Sequence, residues 1–568
     1  MSQGPVTSRR NSKAENPISS PISNYKFRVP SLPAFLPWAA AALSGLLLVA
    51  CFPKIHLWGL VWIACLPLLL SLARETRLKR AFLLGYVCGA FFFAGSCYWF
   101  TIVMEFYGHL AHALAVVVLI MFVTIDSVFL GGFGVAMGWA ARRSPGWALA
   151  ASPFLWMPME LARTYLITGF PWNLLGYGVQ ASGVRQIASV TGVYGLSFLA
   201  VATSALLAWV LLSPRRGRAG LALLGWVALL LAAQWRLAPP PPTEGKELAV
   251  LIQPNVPLDD AALESWIPWR DPTQLQRLVQ FSIAAAVRYF PPAAAPGSAS
   301  TIENQPPEIE NSSGHPPLLV WAENPAPFFF TRDPIFRNAI ENLARQTHAY
   351  VITNTIVPLD EQENMITNTA ITLDPEGREV ARYDKIHLVP FGEYVPWWAL
   401  PGLVHKITSE VGNFVPGSSY PVAQSPDGGI GVIICYEAII PQLARKLVAN
   451  GAGVVVNISN DAWYGDSAAA YQHLEMARFR AIENRRYLLR ATNNGLTTLI
   501  DPYGRVREEA PRYQRLAMPA HFDFETRETF YTKYGDVFAW LCVLMAAVMM
   551  AIAVHSRDSV QADRQVGS

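Results

Sequence analysis

Residues 431–440 read GVIICYEAII. A run of Gly, Val and Ile with the character of a buried strand ends on a cysteine, a tyrosine and a glutamate. A thiol beside two ionisable side chains at a strand end is either core filler or a nucleophile. An isolated buried cysteine usually behaves as a small hydrophobe. Reactive thiols are recognised by their electrostatic surroundings, so the rest of the chain has to decide.

The chain has 568 residues, 52% of them hydrophobic and 15% charged, with a mean hydropathy of +0.26. Soluble domains carry roughly 25% charged residues, so part of this chain belongs in an apolar medium. The apolar excess falls into segments over 33–52, 57–73, 81–99, 113–140, 147–164, 189–212 and 219–235, with an eighth over 537–554. Stretches of this length and composition read as membrane spans. The polar N-terminus, 1–32, reads as a disordered tail, and the first span is expected to be retained because no small-residue cleavage site follows it. Residues 556–568 form a second tail.

Loop charges give an orientation. Arg9, Arg10, Lys13, Lys26 and Arg28 precede the first span. Basic groups recur at Arg74, Arg77, Lys79 and Arg80, at Arg142 and Arg143, and at Arg215, Arg216 and Arg218. The alternate loops hold little beyond Lys54, Arg163 and Arg185. With basic loops inside, both termini are cytoplasmic. A seven-span domain (33–235) then precedes an exported domain (236–535), and a last span covers 536–555. A net charge of +3 without a basic face gives no nucleic-acid signature.

The exported region begins at the polyproline stretch LAPPPPTEGK and then changes character. Short apolar runs (ELAVLIQ, PPLLVWAE, AYVITNT, GVIICYE, GAGVVVNIS) alternate with helical patterns such as DPIFRNAIENLARQ. That alternation predicts an α/β domain with buried sheets. Residues 291–317, rich in Pro, Ser, Ala and Asn, read as a flexible insertion on it.

Of six cysteines, Cys51, Cys65, Cys88, Cys97 and Cys542 lie in or beside apolar spans. Cys435 is the only thiol of the exported domain, so no structural disulfide is available to it there. Two further stretches change its reading. In LLVWAENPAP, Glu323 ends an apolar strand, where desolvation raises a carboxyl toward the range of a general base. In RYDKIHLVPFGEYVPWW, Lys385, His387 and Glu393 stand among aromatic and apolar residues, where an ammonium can stabilise an oxyanion. The bland readings are a loop carboxylate and a solvated lysine.

These three segments, in this order, resemble the nitrilase superfamily with its Glu–Lys–Cys triad. The spans on both sides, together with LITGFPWNLLGYG (166–178), TGVYGLSFLA (191–200), YDKIHLVPFGEYVP (383–396), ICYE (434–437) and NISNDAWYG (457–465), resemble the apolipoprotein N-acyltransferase family over nearly the whole chain. The resemblance implies a multi-span α-helical membrane protein bearing a nitrilase-like αββα sandwich. It makes Cys435 the nucleophile, Glu323 the general base and Lys385 the oxyanion stabiliser, with Glu393, Tyr436 and Glu437 in support. It also implies a functional tryptophan after Pro257, either Trp269, the preferred choice, or Trp266. Ala322 and Asn324 depart from the family's residues around the base, which are Pro and Ser.

The implied reaction moves a fatty acyl chain from a phospholipid to the N-terminal amine of a diacylglyceryl lipoprotein through a cysteine thioester. It needs no cofactor, takes place at the bacterial inner membrane on the periplasmic side, and is expected of a monomer. A membrane-tethered amidase or nitrile hydrolase with the same triad is the enzymatic alternative, and a transporter or scaffold the non-enzymatic one. His109, His387 and His473 show no metal-ligand spacing, and no metal is expected. Trp397, Trp398 and Trp463 suit an interfacial rim or ordinary packing alike, and the loop 166–178 suits a lipid entry path or a plain connector. Asp126, inside a span, is left without a role. If the strand runs on through Glu437, Cys435 and Glu437 share a face and the carboxylate meets Lys385. If the chain turns at Tyr436, Glu437 is exposed.

Overall fold

The structure, a computed structural model, describes residues 33–106, 110–258, 267–290, 314–323, 328–360, 365–390, 392–394 and 413–566. The two tails apart from 556–566, most of the 291–317 insertion, Asn324, Trp266, Trp397, Trp398 and His109 lie outside the described residues.

The N-terminal apolar segments are helical: α1 (Leu36–Ala50), α2 (Leu66–Leu72), α3 (Leu78–Ser96), α4 (Trp99–Phe106), α5 (His112–Ala141), α6 (Pro145–Tyr165), α7 (Ala188–Leu212) and α8 (Arg216–Arg236). Among the described residues, five helical stretches are long and apolar enough to cross a membrane: Leu78–Ser96, His112–Ala141, Val184–Leu212, Arg216–Arg236 and Val537–Val554. Leu36–Ala50 and Trp58–Leu72 are apolar but shorter. Helix α6 has the length but carries Pro153, Pro158, Glu160 and Arg163. Helix α4 was not anticipated; its eight residues form a separate piece after α3.

Small residues set the spacing of this bundle. A Cβ on Gly85 would lie 2.1 Å from the Leu130 carbonyl oxygen, and one on Gly134 would lie 2.2 Å from that of Ala81. Helices α3 and α5 therefore touch backbone to backbone.

The remaining residues build two packed sheets. Strands β1 (Glu247–Gln253), β2 (Leu318–Trp321), β3 (Tyr350–Asp360), β4 (Met365–Leu373), β5 (Glu379–Asp384) and β13 (Leu516–Phe522) form the first, ordered β13-β1-β2-β3-β4-β5, with β6 (Asn413–Phe414) beside β4. The second is ordered β12-β11-β10-β9-β8-β7, from β7 (Val422–Gln424), β8 (Gly429–Ile434), β9 (Ala452–Ser459), β10 (Tyr487–Thr492), β11 (Thr498–Ile500) and β12 (Val506–Glu509). Both sheets are mixed: β1-β2-β3 and β8-β9-β10 are parallel, and their flanks are antiparallel apart from the parallel β4–β6 pair.

Alternate residues of each strand serve different layers. Ala249, Leu251, Val320, Val432, Ile434 and Val456 meet between the sheets. Val250, Ile252 and Leu319 face the other way, against α9 (Thr273–Tyr289) and α10 (Pro334–Thr347). On the far side, Ile433 and Val455 pack on α11 (Pro441–Ala449) and α12 (Ala469–Asn484). The result is the αββα sandwich expected from the resemblance. The α11–α12 layer shares one apolar cluster with the membrane-type helices, including α13 (Phe530–Tyr534)'s neighbour α14 (Val537–Val566).

Candidate active site

Glu323, Lys385 and Cys435 converge at the ends of strands from both sheets. Glu323 lies two residues past the fully buried β2, Lys385 directly follows β5, and Cys435 directly follows β8. The three side chains are withdrawn from solvent: Lys385 is 1% exposed, Cys435 6% and Glu323 7%.

Each ionisable group is held by named partners. Glu323 Oε1 accepts from Asn368 Nδ2 at 3.1 Å, and its Oε2 accepts from the Asn460 backbone N–H at 3.0 Å. The Cys435 thiol is within hydrogen-bonding reach of the same carboxyl. Lys385 Nζ lies 2.8 Å from Glu393 Oε1 and 3.8 Å from Glu323 Oε1. Asn368 also donates to Glu393 Oε1 at 3.0 Å, while Glu393 Oε2 takes the Val389 N–H at 2.8 Å. Asn368 thus bridges the two carboxylates, and Asn354 Nδ2 fixes its amide by donating to Asn368 Oδ1 at 2.7 Å.

The electrostatics suit a base and a neutral thiol. Burial raises the Glu323 carboxyl above its usual range, Lys385 pulls it back, and Glu393 adds to the rise. Burial pushes the Cys435 thiol up to about 12, with Glu323 adding to the effect and Lys385 opposing it. Burial disfavours the Lys385 ammonium, but Glu393 and then Glu323 outweigh it and hold the lysine charged. The site therefore holds a neutral thiol, a carboxyl whose affinity for protons is raised toward that of a general base, and a fixed ammonium.

The chain does not run straight through Cys435. Strand β8 ends at Ile434, and Cys435 adopts φ +50°, a left-handed conformation uncommon for a residue with a Cβ. A short 3₁₀ helix, Cys435–Ile439, follows. Glu437 is neither exposed nor paired with Lys385. It is fully buried, and among the described residues the carboxylates within 4 Å of Lys385 Nζ are Glu393 and Glu323. Glu437 Oε1 accepts from Tyr383 Oη at 2.8 Å and from the N–H groups of Ile386 and His387 at 2.7 and 3.0 Å; its Oε2 accepts from the Ile434 N–H at 2.8 Å. Burial raises this carboxyl to about 7 against the pull of those donors. The strand does not run on through Glu437, and the turn falls on Cys435, one residue before Tyr436. It converts Glu437 from a partner of the lysine into a clamp between the elbow and the segment after Lys385.

Tyr436 reaches toward the helices. Its hydroxyl lies 3.4 Å from the Gly169 carbonyl oxygen, and its ring stacks on His387 at 5.8 Å. Gly169 has φ +71°, and a Cβ there would meet the Thr164 carbonyl oxygen at 2.4 Å. The 166–178 loop is thus more than a connector: residues 171–178 are buried, and Trp172 Nε1 donates to Gln472 Oε1 at 2.7 Å. Trp269 stands apart, 49% exposed, with its ring 5.4 Å from Phe329. Trp463 is also partly exposed.

The sequence reading assigned no role to Asn368, Asn460, Asp461, His473 or Arg490. Asp461 pairs with Arg490 Nη2 at 2.7 and 2.8 Å, and His473 joins that pair to the Cys435 carbonyl. The available signal was polar residues inside apolar strands, Asn368 in MITNTAITL and Arg490 in YLLRAT. Glu247, His315 and Asp427 bring possible metal-ligand atoms within 4.8 Å of one another, a group that shares no residue with the triad.

Fold and site define a carbon–nitrogen-hydrolase sandwich packed on a bundle of apolar helices. Residues 261–530 match the carbon-nitrogen hydrolase family, and residues 44–206 match the N-terminal domain of apolipoprotein N-acyltransferase. The chain is 36% identical over 530 residues to an apolipoprotein N-acyltransferase of Geobacter metallireducens, covering 91% of this chain and 95% of that one. It is 34% identical to one of Allorhizobium ampelinum, covering 76% and 77%. A crystal structure of an amidase from Nesterenkonia sp. aligns with TM-score 0.33 at 17% identity, over 50% of this chain and 93% of that one. The chain belongs to the apolipoprotein N-acyltransferase family.

Proposed function

We propose that the protein transfers a fatty acyl chain from a membrane phospholipid, through a thioester on Cys435, to the N-terminal amine of diacylglyceryl-cysteine on a lipoprotein. The observation that carries this reading is the convergence of a neutral thiol, a desolvated carboxylate and a fixed ammonium where the α/β sandwich packs on apolar helices. Both substrates are lipids, and a site in that position can receive them from the bilayer.

Glu323 takes the thiol proton as Cys435 sulfur attacks the carbonyl carbon of a glycerol ester. The tetrahedral oxyanion is received by Lys385 Nζ, whose three donors are not all spent on Glu393 and Glu323. It is also received by the Tyr436 N–H in the first turn of the 3₁₀ helix, where amides have no intrahelical acceptor. The carbon–oxygen bond breaks, the leaving alkoxide takes the proton from Glu323, and lysophospholipid departs. The α-amine of the lipoprotein then attacks the thioester and gives a proton to Glu323. The carbon–sulfur bond breaks, and that proton returns to the thiolate. Glu393 and Glu437 hold the lysine and the elbow in register throughout, and Trp269 is assigned to substrate binding.

In this reading 33–235 and 536–555 carry eight spans in the inner membrane, 236–535 is periplasmic, and the protein works as a monomer. The experiment is to incubate purified protein with a defined phospholipid and a diacylglyceryl peptide. A hydroxylamine-labile acyl group on Cys435 by mass spectrometry, followed by N-acyl peptide, supports it. Free fatty acid without N-acyl peptide would make the protein a hydrolase.

A further inference from the structure

The Cys435 carbonyl and the Tyr436 N–H belong to one planar peptide, so whatever fixes the carbonyl also aims the N–H. The carbonyl oxygen lies 3.1 Å from His473 Nε2, on α12. His473 is fully buried. Its other ring nitrogen, Nδ1, lies 3.1 Å from Arg490 Nη2 and 3.3 Å from Asp461 Oδ1.

The Cys435 carbonyl oxygen only accepts, so the Nε2 that faces it carries a ring proton and donates, while Nδ1 faces the Arg490–Asp461 pair. Asp461 accepts from Arg490 through both oxygens, and Ser459 Oγ donates to its Oδ1 at 2.9 Å. Burial and the Arg490 charge both hold the imidazole neutral. The ring is also fixed in space. It stacks on Trp172 at 5.9 Å and meets Tyr464 edge-on at 5.8 Å. The neighbouring Gln472 donates to the carbonyls of Pro53 and Ser96, at 3.1 Å each. The imidazole is thus gripped by a buried ion pair on one side and by the 166–178 loop on the other.

We infer that His473 is a positioning residue for acyl transfer: by donating to the Cys435 carbonyl it locks the left-handed elbow and aims and polarises the Tyr436 N–H toward the oxyanion. This rests on the acyl-transfer reading above, in which that N–H receives the developing charge. Donation to a peptide oxygen strengthens the same peptide's N–H as a donor, and removing an oxyanion-hole donor outright typically costs about 10²–10³ in rate. Removing the group that aims the donor should cost less, about 10–100-fold. Ordinary core packing would not distinguish an oxyanion-forming reaction from one that forms none.

The test uses full-length protein in detergent with His473→Leu, His473→Gln and His473→Asn. Gln carries an N–H near the imidazole Nε2 position, and Asn falls short by one methylene. Single-turnover thioester formation from phospholipid is compared with alkylation of Cys435 by iodoacetamide, a displacement that builds no oxyanion. Acylation should fall about 10–100-fold in His473→Leu and His473→Asn and recover substantially in His473→Gln. KM for phospholipid and the alkylation rate should stay within about twofold of the wild type. Equal acylation by the Gln and Asn variants, or a parallel fall in acylation and alkylation, overturns the inference and leaves the acyl-transfer reading standing. Wild-type protein that alkylates at Cys435 but forms no thioester from phospholipid overturns both.

Discussion

Carboxylates buried among the membrane-type helices and carboxylates around Cys435 are held differently. In the sandwich, both oxygens of Glu323, Glu393 and Glu437 accept hydrogen bonds. Among the helices, Asp126 Oδ1 and Glu160 Oε2 have no partner among the described residues, although Glu160 Oε1 accepts from Trp156 Nε1 and the Leu175 N–H. The difference separates a site where geometry is fixed in advance from a region where polar groups line a cavity. Glu160, Arg163 and Asn173 line that cavity together with apolar residues. Preorganisation of dipoles is what catalysis of acyl transfer uses, so substitutions in the sandwich should hurt the rate far more than those among the helices.

The largest effect belongs to the nucleophile and its base. Cys435→Ser and Glu323→Gln should each lower N-acylation by at least about 10³-fold, followed by N-acyl peptide formation. A serine variant that still traps a hydroxylamine-labile acyl group would break the assignment. Next comes Lys385→Ala, which removes an oxyanion donor and leaves the half-buried Glu393 without its cation. About 10²–10³ in kcat and about 3 kcal/mol of stability should be lost, read by single turnover and by thermal unfolding.

Glu437→Gln is expected in the middle. An amide can accept on one side only, so either the Ile434 N–H or the donors on Oε1 face an NH₂ group. A loss of about 2 kcal/mol is expected, with a measurable slowing of thioester formation. Unchanged stability would show that the clamp contributes nothing.

The pH profile sharpens the same contrast. Glu323 must be ionised to take the thiol proton, and burial raises its carboxyl. Thioester formation should therefore fall as pH drops, along a limb lying above the ordinary carboxylate range. The limb should survive in Glu437→Gln, because Glu437, raised to about 7, is not the proton acceptor. Its disappearance there would transfer the limb to Glu437. The smallest effect is expected for Glu160→Gln, which keeps an acceptor for Trp156 and Leu175: less than about threefold in thioester formation. A larger loss would show that the helical region prepares the site as tightly as the sandwich does.

Much of this architecture is legible in the chain. The apolar segments announce helices because their period and length leave no other way to bury backbone polar groups in lipid. The alternation of apolar runs with amphipathic stretches announces an α/β domain with buried sheets, and the family resemblance supplies its sandwich layering. Glu323 and Cys435 are legible because each stands at the end of an apolar strand, whereas Lys385 follows the polar strand EVARYD and is legible only through the family resemblance. What was missed follows a common rule. Asn368 and Arg490 look like interruptions of a strand until their partners arrive from 45 and 29 residues away. Glu437 was misplaced because the left-handed turn falls on Cys435, a residue whose type does not advertise positive φ.

The sequence by itself determined the apolar helices and the strand–helix alternation, since these rest on composition, period and local order, while the two-sheet sandwich and the grouping of Glu323, Lys385 and Cys435 came through the resemblance to a family. Only the tertiary structure decided that Lys385 pairs with Glu393, that Glu437 clamps backbone and that His473 faces the Cys435 carbonyl. Hydrogen bonds of this kind depend on direction across packed layers, and direction is fixed only when sheets, elbow and helices have closed on one another.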